Sequence, residues 1–158
     1  MKVLGLNLVK SSILDLVHTT KDTLYICTYG YDFTSLEMFE FVQLIERKAM
    51  INIIAGKELP SDVKAKLAKL YNIRVYHLPK LHAKIYLNED DAIVSSCDFG
   101  NLTVPRLYEC GVRFSKHQFK SEHQKLEDQM KVLISEATLV LPLLPFKHDK
   151  GIDLREFL

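Results

Sequence analysis

The chain reads as an α/β domain, a mixed β-sheet with helices on both faces, and three observations lead there. Short apolar runs of strand-forming residues alternate with segments of helical period. A length of 158 residues with 47 % hydrophobic content suits one well-buried core and is too short for two ordinary ones. No internal repeat divides it, so residues 1–158 are expected to form a single domain with its core at about 22–136.

The elements follow in order. Val9, Ile13, Leu16 and Val17 recur at helical spacing, and 22–28 is a run of strand formers. Thr34 or Ser35 caps a helix to about Lys48, with Glu37 in its first turn where the macrodipole favours an anion. A strand at 50–54 precedes a helix that starts near Pro60 and buries Val63, Leu67, Leu70 and Tyr71, and 73–77 returns as a strand. Strands at 82–88 and 92–98 flank a hairpin turn, an irregular loop spans 99–106, and the strand 108–114 precedes a last helix buried through Phe119, Leu126, Met130, Leu133 and Ala137. The segment 139–158, with Pro142 and Pro145, reads as an extended tail.

Charge and cysteines bound the setting. Net charge is only +1, yet residues 57–84 hold seven Lys or Arg against two acids. That stretch, centred on Lys64, Lys66 and Lys69, is either a solvated helix face or a patch that tracks phosphates. An odd number of cysteines, Cys27, Cys97 and Cys110, fits reduced core residues better than a disulfide framework. No apolar run reaches membrane-spanning length and the first residues lack a signal-peptide pattern, so a soluble, cytoplasmic protein is expected.

The chemistry gathers between 82 and 109. A period of two puts His82, Lys84 and Tyr86 on one strand face, and Ala92, Val94, Ser96 and Asp98 on one face of the next. An imidazole, an ammonium, a hydroxyl and a carboxylate would then converge beside one phosphate, with Glu109 downstream. His77 and His82 have no Cys pair, helical His-x-x-x-His or dense carboxylate group near them, so no metal and no cofactor is expected. His18, His117, His123 and His148 read as surface residues, and no Gly-rich phosphate loop is present. Tyr29 and Tyr31 follow the first strand, where ligands of open α/β sheets bind; they serve either as half-buried packing or as rings on which a base stacks.

His82-Ala-Lys84 with the later Ser96, Asp98 and Glu109 resembles the single-motif signature of the phospholipase D superfamily, His-x-Lys, an acid, Gly-Ser-x-Asn and a downstream Glu. His82 and Lys84 match fully, Glu89 or Asp90 stands at the acid, Ser95-Ser96 replaces Gly-Ser, Asp98 replaces Asn and Glu109 fits the last acid. The spacing after the first acid is one residue short.

The resemblance covers about 22–136 and implies a metal-independent phosphodiesterase. Because the family builds one site from two motifs, it also implies a homodimer with a shared site. His82 is then the nucleophile, Lys84 and Ser96 contact phosphate oxygens, and Glu109 orients a His82 ring. An ionised Asp98 accepts hydrogen bonds only, so Asn101 is a candidate replacement donor. A basic stretch leading into His82 favours DNA or RNA as substrate, hence a nuclease. The alternatives are a catalytically silent nucleic-acid-binding or dimerisation module, and a phospholipid phosphodiesterase or headgroup transferase.

Overall fold

The computed structural model describes residues 1–5, 8–33, 35–102 and 108–143. One eight-stranded sheet is built from β1 (Lys2–Leu4), β2 (Thr23–Thr28), β3 (Met50–Ala55), β4 (Ile73–His77), β5 (Ile85–Leu87), β6 (Asp91–Ser95), β7 (Gly111–Ser115) and β8 (Thr138–Leu141), in the order β1-β7-β6-β5-β2-β3-β4-β8. β2, β3 and β4 are parallel, and all other pairs are antiparallel. The helices are α1 (Leu8–Thr19), α2 (Ser35–Glu46), α3 (Ser61–Leu67) and α4 (Lys120–Glu136).

Both faces are covered, as the alternation of elements predicts. Ile26, Ile53, Val75, Tyr86 and Ile93 face α1, α2 and α3 through Ile13, Leu16, Phe41, Ile45 and Leu67. Cys27, Ile54 and Ile85 face the other way, where Met130, Leu126 and Leu133 of α4 close over them. Inside the first layer Phe41 and Phe99 stack with centroids 5.4 Å apart, and Phe33 meets both edge-on. Each such pair contributes about 0.5–1.5 kcal/mol beyond its buried area. The cluster anchors the short 3-10 turn Phe99–Asn101 that follows Asp98.

Several expectations change. The first three-residue strand, β1, was hidden in the sequence because three residues show no period; it exists by pairing with β7. Residues 139–141, at the start of the expected extended tail, belong to β8, which closes the sheet edge against β4, while 144–158 lie outside the described residues. β7 begins at Gly111 rather than at residue 108. His123 is fully buried, not at the surface: its Nε2 lies 2.9 Å from the Asn88 carbonyl, where α4 packs on the β5–β6 turn. That turn forms because the Asn88 side-chain oxygen accepts from the N–H groups of Asp90 and Asp91. His18 and His117 are exposed as expected. No helix among the described residues is long and apolar enough to cross a membrane.

Candidate active site

Strand directions bring the chemistry to one edge of the sheet. β2, β3, β4 and β6 end there, and β5 and β7 begin there. Tyr29 follows β2, Lys57 lies just beyond β3, His82 and Lys84 precede β5, Ser96 and Asp98 follow β6, and Glu109 precedes β7.

His82 is exposed and Lys84 is buried, at 7 % exposure. The Lys84 ammonium donates to the His82 carbonyl oxygen at 2.9 Å and lies 3.3 Å from both nitrogens of the His82 ring. Its counter-charge is Asp98, whose Oδ2 is 3.9 Å away. The other oxygen of Asp98 accepts from the Tyr29 N–H at 2.7 Å and from the Thr28 hydroxyl at 3.0 Å. Thr28 in turn accepts from the Phe99 N–H at 3.2 Å. Burial of an ammonium is costly unless it is paired and hydrogen-bonded, and here it is both.

The second half of the edge is the Ser96–Glu109 pair. The Ser96 hydroxyl donates to Glu109 Oε2 and accepts from the Cys110 N–H at 3.1 Å. Glu109 is 8 % exposed, and its described hydrogen-bond partner is Ser96. The cluster is therefore assembled differently from the strand-face argument. The register pairs Tyr86 with Ile93, so alternation sets Lys84 opposite Ser95, and the Ser95 N–H does donate to the Lys84 carbonyl at 3.0 Å. Asp98 meets Lys84 because the chain has left the strand and turned toward β2.

Ser95 occupies the position at which the resemblance has glycine, and the glycine is found across the ladder. Gly111 pairs with Ser95, and a Cβ built on Gly111 would stand 2.8 Å from the Ser95 Cβ. Only one of the two positions has room for a side chain. The acid positions Glu89 and Asp90 lie at the opposite end of the hairpin, bonded to Lys21, away from the cluster.

The remaining sequence candidates divide. Tyr29 is exposed at the cluster, with its ring 5.7 Å from that of His82. Tyr31 turns inward to 5 % exposure against Phe33, so it has no surface to offer a substrate. Lys64, Lys66 and Lys69 are exposed on α3 and the turn after it, outside the cluster, on the segment that leads from the end of β3 back to the start of β4 at the other end of the sheet. The Asn101 side chain lies outside the described residues. Thr28, the last residue of β2, was missed, and Lys57 was read only as part of the basic stretch 57–84, although both adjoin the carboxyl ends of strands, the place that singled out Tyr29.

Two thiols flank the cluster and do not serve it as nucleophiles. Burial pushes Cys27 and Cys97 up to about 12, so both stay protonated near neutrality. The fully buried Tyr86 hydroxyl, held far above its usual range first by burial, donates to the Cys97 carbonyl at 2.6 Å and pins the chain between Ser96 and Asp98. Among the described residues no three His, Cys, Asp or Glu side chains gather at metal-ligand spacing.

No family model and no curated protein matches the chain by sequence. Solved structures do match in three dimensions. NucT from Helicobacter pylori superimposes with a TM-score of 0.73 at 11 % identity, over 87 % of this chain and 97 % of that one. Nuc from Salmonella typhimurium, a phospholipase D family member, gives 0.70 at 10 % identity, over 89 % and 97 %. TrmBL2, an archaeal chromatin protein with a novel mode of DNA binding, gives 0.66 at 14 % identity, over 88 % of this chain but 53 % of that one. The sheet order, the helices on both faces and these superpositions together give the chain the phospholipase D fold, as its His-x-Lys segment implies.

Proposed function

We propose that the chain is a metal-independent phosphodiesterase, a homodimeric nuclease that cleaves DNA or RNA through a phosphohistidine on His82. One observation carries this reading: an exposed imidazole stands 3.3 Å from a buried ammonium at the edge of a phospholipase D fold. The one unprotonated nitrogen of a neutral, exposed His82 ring is open to a phosphorus atom from the solvent side, and the Lys84 ammonium beside the ring turns to the phosphate oxygens as they arrive. Attack forms the N–P bond and breaks the bond to the leaving oxygen, which takes its proton from the partner's His82. Water then hydrolyses the phosphohistidine, and the partner's His82 takes up a proton from it. Lys84 holds charge against the non-bridging oxygens throughout. Ser96 joins them by turning its proton away from Glu109.

A second reading, a module that binds nucleic acid without cutting it, is favoured by one feature. Asp98 places a carboxylate beside Lys84, so part of the charge meant for phosphate is already answered. The likeness to TrmBL2 adds to it. Incubation of the pure protein with single- and double-stranded DNA, RNA and bis(p-nitrophenyl) phosphate in chelator separates the two. The nuclease cuts in chelator and is silenced by His82→Ala with the fold intact by circular dichroism. Nucleic acid bound but never cut supports the module, and cleavage that survives His82→Ala removes the mechanism.

A further inference from the structure

Beside His82 the edge carries an aromatic arrangement that phosphoryl transfer does not use. The Tyr29 ring is 39 % exposed, tilted 52° to the His82 ring at 5.7 Å, and the Lys57 ammonium lies over it, 5.2 Å from its centroid. The backbone beneath it is fixed. The Tyr29 N–H is held by Asp98 and its carbonyl accepts from the Lys57 N–H at 2.8 Å. Gly56 permits the arrangement, because a Cβ there would meet the Leu81 carbonyl oxygen at 2.2 Å and the Tyr29 ring at 2.9 Å. The segment leading to His82 and the Tyr29 ring therefore close on one position that only glycine fills.

We infer that Tyr29 is a stacking platform for an unpaired nucleobase next to the scissile phosphate, which makes single-stranded nucleic acid the preferred substrate. The inference rests on the nuclease reading and adds its specificity. A ring this close to His82 meets the base adjoining the attacked phosphate, and a base exposes its face only when it is out of a duplex. The lysine over the ring is no obstacle. An exposed cation–π contact is weaker than base–aromatic stacking, so the base displaces Lys57, whose ammonium then faces the incoming backbone. The phenol hydroxyl has no part in this, so phenylalanine serves as well as tyrosine.

The test is binding, not cleavage, so that it stands apart from the nuclease reading. Fluorescence anisotropy in chelator compares a short labelled oligodeoxynucleotide with the same strand made of abasic residues, and with its duplex and its RNA counterpart. Wild-type protein should prefer the base-bearing single strand to the abasic one by about tenfold. That preference should disappear in Tyr29→Ala and persist in Tyr29→Phe, with thermal melts confirming that both variants are folded. Equal affinity of wild type for base-bearing and abasic strands, preference for the duplex, or a preference that survives Tyr29→Ala overturns it. RNA bound like DNA is expected, since a π-face is common to both. Failure of the nuclease reading shows up elsewhere, as a strand bound with its base preference but never cut.

Discussion

Asp98 is where this chain parts most clearly from the pattern it resembles, and its contacts say what the change does. One oxygen accepts from Tyr29 and Thr28, a role that an asparagine oxygen fills equally well, while the other answers the charge of Lys84. Asp98→Asn keeps the bonds from Tyr29 and Thr28 and releases Lys84 to the phosphate, at a cost in stability read by thermal melts because the buried ammonium loses its counter-charge. The expected result is a two- to fivefold rise in kcat/KM near pH 7 at low salt, roughly the worth of one partly screened ion pair. A folded but inactive variant would show that the carboxylate itself is needed. The Ser95–Gly111 pair makes a second residue-scale claim. Gly111→Ala should destabilise the fold by about 1–3 kcal/mol through overpacking, read by denaturant unfolding, and Ser95→Gly in the same chain should restore part of the loss. No recovery would mean that the nearby Val94 carbonyl, 2.9 Å from the added Cβ, sets the cost. These pairings were not legible in the sequence, because order along the chain gives residue types and spacing but not which strand end turns toward which.

Among the elements, those with clear period or strong strand composition were legible: 73–77 is a strand to the residue, α1 and α4 carry the stripes expected of them, and α2 runs Ser35–Glu46 within the expected span. Alternation misassigned the faces at the site because β5 is three residues long, and His82, Lys84, Ser96 and Asp98 all lie beyond the paired segments, where a period of two no longer governs direction. β1 and β8 are edge strands defined by their partners, and no local signal marks either. α3 raises a separate question, since its lysines are exposed on the segment that leaves the reactive edge after β3. If they follow a polyanion, replacing Lys64, Lys66 and Lys69 with Gln should weaken binding alike for all sequences and flatten its salt dependence. Unchanged affinity and salt slope in a binding titration would mark them as a solvated face.

For the whole molecule the sheet does the organising: strands of both directions deliver their ends to one edge, where residues from 28 to 109 meet. Its buried thiols also set an alkaline limit. Folding raises Cys27 and Cys97 from 9.0 to about 12, so the unfolded chain loses these protons first; their contribution is complete below about pH 9 and is lost as pH rises from there toward 12. Thermal melts should therefore fall steeply above pH 9, and a flat profile from 8 to 11 would show that the thiols are not shielded. Two copies of this edge facing each other would supply the two imidazoles that the mechanism divides between nucleophile and acid, and sedimentation at micromolar concentration should give twice the monomer mass. The decisive experiment is a rapid quench into alkaline denaturant, with an oligodeoxynucleotide radiolabelled at its internal phosphates and chelator present. Label is expected on the protein as an acid-labile, base-stable phosphoramidate on the peptide containing His82, absent from His82→Ala. Turnover with no label on the protein, or label on any other residue, would contradict it.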